Sequence, residues 1–124
     1  MKKIILLLGI LIIVLPITVS ATTVEANLLY QTNQKVCDRF EEDVSRMAAI
    51  MDEVKDRKGI TETRVAFGGI DDAIKSADYW VTFAAEAIAY QRAQKSSSSS
   101  NLRSGLEVLK GKVLKAKGEV AKAL

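Results

Sequence analysis

Apolar residues in this chain recur in steps of three and four rather than two, and they do so in three separate stretches. In the first, Tyr30, Asn33, Cys37, Phe40, Val44, Met47, Met51 and Val54 alternate those steps and form a heptad seam. Val36 and Ile50 widen the stripe, while Asp38, Glu42, Arg46, Glu53 and Arg57 fall on the opposite face. The spacing predicts a helix over about 23–58, roughly 50 Å long at 1.5 Å per residue. Thr22 and Glu25 fit a capping box at its start. Gly59 fits a C-terminal stop after the basic run Lys55, Arg57 and Lys58, where positive charge favours the helix dipole.

The second seam, Ile70, Ile74, Ala77, Val81, Ala84, Ile88 and Gln91, predicts a helix over about 71–95, capped by Asp71 or Asp72. Its far side is also apolar. At 100° per residue, Tyr79, Phe83 and Tyr90 lie opposite Val81, with Trp80 beside the first seam. A helix apolar on two faces must bury both or leave one for a partner. Glu86 interrupts the aromatic side, either facing solvent or pairing with a lysine of the third helix. The third seam is Leu102, Leu106, Leu109, Val113, Ala116, Val120 and Leu124, with Ser104 and Glu107 as a second capping box. Gly105, Gly111 and Gly118 each weaken this helix by up to about 1 kcal/mol relative to alanine, so it needs a surface to fold against.

Between the seams lie a connection at 59–70 and a serine-rich linker at 96–101. Thr61, Thr63 and Val65 alternate with polar neighbours, and Gly68-Gly69 reads as a turn. The predicted fold is all-α, a long helical hairpin over 22–95 followed by a C-terminal amphipathic helix over 102–124. It closes as an antiparallel three-helix bundle or a coiled-coil-like assembly. In the bundle, the Ile/Ala face of the second helix rests on the first and its aromatic face on the third. In the assembly, the long first helix overhangs the hairpin and seeks another copy, with Asn33 fixing register at a seam position.

Ahead of all three seams, Lys2 and Lys3 precede an uncharged run from Ile4 to Leu15, Pro16 breaks it, and Val19-Ser20-Ala21 supplies small residues. That order is a bacterial-type secretory signal peptide over 1–21, which sends the protein to the periplasm or outside the cell. The alternative is an uncleaved anchor, but the run falls short of the 17–25 or so apolar residues that a spanning helix needs. Val24-Glu25-Ala26 is a second, weaker cleavage signal.

Export changes the charge picture. Losing Lys2 and Lys3 takes the basic count from 18 to 16 against 15 acids, a balance of +1, so the high isoelectric point alone does not indicate a polyanion partner. Residues 22–95 hold 10 basic and 13 acidic side chains, and residues 96–124 hold 6 and 2. The positive charge is thus concentrated in the last helix, where Lys110, Lys112, Lys115, Lys117 and Lys122 offer contacts to an anionic lipid surface or cell-wall polymer. Nucleic acid is not an expected partner, since arginine is sparse and no recognition motif is present.

The chain has no histidine, which removes the usual general base and the commonest metal ligand. One cysteine forms neither an internal disulfide nor a thiolate cage. No calcium-loop spacing or glycine-rich phosphate loop occurs, so the sequence indicates no catalytic residues, cofactor or metal. Cys37 on the first seam reads either as a small buried apolar residue or as an intermolecular disulfide with a second copy. The stripe Tyr79, Phe83 and Tyr90 reads as a partner-binding face. The plan of leader, long hairpin and basic balance is similar to that of small exported helical chaperones of the bacterial envelope, without a shared motif. The expectation is an exported, non-enzymatic protein that acts by helix–helix contacts as a structural, assembly or binding component. It works with a protein partner or with itself, and surface association through the lysine-rich helix is the alternative.

Overall fold

A computed structural model describes residues 2–60 and 71–124, with side chains from Val24 onward. Three helices account for the described residues: α1 (Lys2–Arg57), α2 (Asp72–Ala93) and α3 (Ser99–Ala123). Asn33 meets Gln91 and Lys55 meets Asp78, so α1 and α2 run antiparallel. Ser76 meets Glu119, and Gly105 lies against Gln91, so α2 and α3 are antiparallel as well. That leaves α1 and α3 parallel, and each helix touches the other two. The chain is an all-α three-helix bundle.

One core runs along the bundle axis. Cys37, Val44, Met47 and Met51 come from α1, Ile74, Ala77, Val81, Ala84 and Ile88 from α2, and Leu109, Val113, Ala116, Val120 and Ala123 from α3. The three-and-four spacing dictates this, because it keeps one stripe of each helix turned toward the same axis. Ala77, Ala84 and Ala116 are fully buried, and their small side chains let the helices pack closely. The seams fail at their ends. Tyr30 and Leu124 are exposed.

Helix termini follow local chemistry. Gly59 adopts a left-handed φ of 65°. Its N–H donates to the Asp56 carbonyl at 3.0 Å, and the Ile60 N–H donates to the Lys55 carbonyl at 2.9 Å. This paired closure is the Schellman arrangement, and Ile60 and Val54 both pack against the core beneath it. The Asp71 carboxylate accepts from the Ala73 N–H at 3.1 Å and starts α2. The start of α3 differs from expectation. Ser98, not Ser104, is the cap, its hydroxyl accepting from the Asn101 N–H at 3.2 Å. The serine run therefore enters the helix, and the connection shrinks to residues 94–98. Serine caps well, and Leu102 needs a turn of helix before it to reach the core.

The first helix also begins earlier than the spacing predicts, its backbone running unbroken through Thr22. At ~1.5 Å per residue it is ~80 Å long, well beyond the 22 residues of α2. The side-chain features of residues 1–23, including the signal-peptide pattern and the Thr22 cap, lie outside the described residues. So do Ile70, the Thr61–Val65 alternation and Gly68-Gly69. Among the described residues no helix is long and apolar enough to cross a membrane.

Candidate functional site

Opposite the Ile74–Ile88 stripe, α2 turns an aromatic ridge outward. Tyr79 and Tyr90 are 61% and 69% exposed, and Phe83 and Trp80 are half-buried. Tyr79 and Phe83 stack with ring centroids 6.1 Å apart and planes 10° apart. Trp80 stands nearly perpendicular to both, with centroids 5.4 and 5.5 Å away. The expectation that α3 would cover this face is corrected here. The Ile/Ala stripe of α2 sits between both neighbours, so α3 reaches only Trp80 and Phe83, half-buried beneath Lys115 and Lys112, and leaves Tyr79 and Tyr90 outside.

What α3 gives the ridge is a lysine border. Lys112 Nζ lies 5.3 Å from the Phe83 ring centre, and Lys115 Nζ lies 5.4 Å from that of Trp80. Such cation–π contacts add about 0.5–1 kcal/mol each at exposed sites. Across the ridge, Asp78, Thr82 and Glu86 line a shallow depression with Tyr79 and Phe83. Glu86 is exposed and stands on that far side, away from the lysines of α3.

The five lysines proposed for anionic surfaces thus divide. Lys112 and Lys115 border the aromatic ridge, while Lys115 and Lys122 also hold Glu119, at 2.9 and 3.2 Å. Lys110 and Lys117 are exposed and turned away from this cluster. Glu119 itself is only 7% exposed. It accepts a 2.7 Å hydrogen bond from the Ser76 hydroxyl, tying α3 to α2. The Ser76 hydrogen bond and those from Lys115 and Lys122 hold its carboxyl down at about 2, from an ordinary 4.5. Its contribution is therefore complete above pH 4.5 and falls away as pH drops toward about 2. Glu119→Gln is expected to lower the melting temperature near neutral pH, with the gap to the parent protein closing across that acid range. A gap unchanged down to pH 2 would refute the ion cluster's role in joining α3 to α2.

At the far end of the bundle sits a buried amide pair. Asn33 Nδ2 donates to the Gln91 carbonyl, and Gln91 Nε2 donates to Asn33 Oδ1, both at 2.9 Å. One residue along, Gln34 Nε2 donates to the Arg92 carbonyl at 3.1 Å, and Arg92 Nη1 donates to Gln34 Oε1 at 2.9 Å. Arg92 also pairs with Asp38 at 2.7 Å and with Glu41. Side chains of α1 thus donate to carbonyls of the last turn of α2, where regular helical partners run out. In the bundle Asn33 finds its partner within the chain, in Gln91 of α2. Gly105 belongs to this junction, since a Cβ there would sit 3.0 Å from Gln91 Oε1.

Cys37 lies one turn from Asn33, fully buried and free, its Sγ 3.9 Å from Asn33 Oδ1. Burial raises its thiol pKa, the nearby Arg92 partly opposing this. A disulfide between copies requires the helices to part, because no path leads from solvent to this sulfur in the closed bundle.

Between the parallel helices α1 and α3 runs an apolar groove of about 550 Å³. Leu28, Leu29, Val36, Phe40, Leu102 and Leu106 form its walls, and Glu25, Glu107, Arg103 and Lys110 its rim. The seams hid this groove because they report which residues turn inward, not how completely two helices close above them. Glu119 was equally hidden, as a charged residue between Ala116 and Val120 carries no sign of burial. Among the described residues, no three of His, Cys, Asp and Glu gather as a metal site. Compared with known proteins, the chain matches no family model, no curated sequence and no solved structure.

Proposed function

We propose that this is an exported, non-enzymatic helical protein that acts by helix–helix contacts, as an assembly or binding component outside the cytoplasm. The supporting observation is the ridge of Tyr79, Phe83 and Tyr90, in which the bundle leaves both tyrosines largely exposed beside half-buried Phe83. Tyrosine ridges suit protein contact, since each ring adds large rigid area with few rotatable bonds. Export rests on the N-terminal pattern of Lys2-Lys3, the uncharged run Ile4–Leu15 and Val19-Ser20-Ala21.

A photoreactive residue at Tyr79 in cells exporting the protein tests this. A discrete crosslinked protein is expected, lost in a Tyr90→Asp background and kept in a Lys117→Ala background. Crosslinks that ignore both changes, or none at all, would remove the ridge as a binding face. The alternative, attachment to anionic lipid or polymer, draws on Lys110 and Lys117, which are exposed on the side of α3 away from the Glu119 cluster. Salt-sensitive retention on anionic vesicles, abolished by replacing those two, would favour it over the ridge.

A further inference from the structure

We infer that the groove between α1 and α3 is an interface with a second copy of this chain. The inference rests on the reading that the protein works through helix–helix contacts, and it assigns one surface to self-association. Three observations carry it.

First, the walls are aliphatic and aromatic, and Leu28 on the lip is 59% exposed, an unusual setting for a leucine flanked by further apolar side chains. Second, α1 runs on beyond the bundle. Asn33 already stands level with Gln91, in the last turn of α2, so Val24 and Leu28 lie past the end of that helix, Leu28 with α3 alone beside it, and both stay more than half exposed. A second helix pair is what such an overhang lacks.

Third, the rim carries two acids, Glu25 and Glu107, and two bases, Arg103 and Lys110. A polyanion or an anionic lipid headgroup would meet the two carboxylates, and a basic partner would meet the two cations. A two-fold interface instead sets one patch against itself, and a rim that carries both signs suits that pairing. Rotating one copy onto the other sets Leu28 of each into the opposite groove. The acids of one rim can then face the bases of the other. The two α1 and two α3 helices then make a four-helix contact, closing a core that three helices leave open at this end.

Sedimentation of the full-length protein and of the processed form recovered after export tests this, across about 1–100 µM, the range where moderate dimers dissociate. The parent protein is expected to sediment as a dimer. Leu28→Asp is expected to weaken dimerisation by tenfold or more with unchanged helix content and melting, because the leucine is exposed in the single chain. Leu28→Cys is expected to form an interchain disulfide on mild oxidation, whereas Val108→Cys, on another exposed face, is not. A strict monomer at the highest concentration overturns the inference, as does a dimer indifferent to Leu28→Asp. Acyl chains found by mass spectrometry in the purified protein's groove would assign it to lipid and overturn it equally. A monomer that still crosslinks through Tyr79 would sink this inference alone, leaving the proposed function in place. A groove dimer without ridge crosslinks would do the reverse.

Discussion

Asn33→Leu is expected to destabilise the bundle by about 1–3 kcal/mol, the cost of leaving a buried amide without its partner. The amide stranded is that of Gln91, whose Nε2 donates to Asn33 Oδ1 at 2.9 Å in a junction where both residues are buried. Adding Gln91→Met is expected to recover most of the loss, because the pair would then be apolar on both sides with nothing left unsatisfied. The Gln91 carbonyl keeps a partner in the double variant, since the Gln94 N–H also donates to it. Urea unfolding of the two single variants and the double variant measures the coupling. A double variant as unstable as the sum of the singles would show that the two amides do not act as a pair. Rescue without loss of register would assign the pair to satisfying helix ends. Rescue with altered sedimentation or helix content would assign it to specifying the alignment of α1 against α2.

The largest single loss is expected from Ile74→Ala. Ile74 is fully buried in the cluster shared by all three helices. Emptying such a site removes the transfer free energy of the deleted groups and leaves a void, together about 2–5 kcal/mol. For a bundle of this size each kcal/mol lowers the melting temperature by about 4–8 °C. Val108→Ala is the matched control, since Val108 is 60% exposed and alanine favours the helix. A shift of less than 0.5 kcal/mol is the usual result at such a surface site. Thermal unfolding followed by circular dichroism separates the two outcomes, and near-equal melting temperatures would mean that the core lies elsewhere.

Most of the core was legible in the residues themselves. Every described position of the second seam, from Ile74 to Gln91, is buried, and the first seam holds from Asn33 to Met51 apart from half-buried Phe40. That success has a simple cause. The helical period puts every third or fourth residue on one side, and water expels the apolar ones without reference to sequence-distant detail. The helix start at Ser98 is not legible in composition, because five consecutive serines look like a linker although a serine hydroxyl is also a helix cap.

The site was far less legible. Tyr79, Phe83 and Tyr90 were visible as a second apolar face, but which side of α2 would meet α3 depends on how three cylinders nest, a property of no single helix. The lysines of α3 read as a uniform basic stripe. In the bundle, two border aromatic rings and two hold Glu119, because α3 leans on α2 at those positions.

By itself the sequence determined three helices, their inward stripes, the stop at Gly59, and the scarcity of groups for bond-making chemistry. These are local matters of period, cap and composition. Only the tertiary structure decided that Asn33 pairs with Gln91, that Glu119 is buried among donors, that the aromatic ridge faces out, and that a groove stays open between α1 and α3. Each of those depends on distances between residues far apart in the chain. Such distances are set by the packing of whole helices against one another, not by the period of any one.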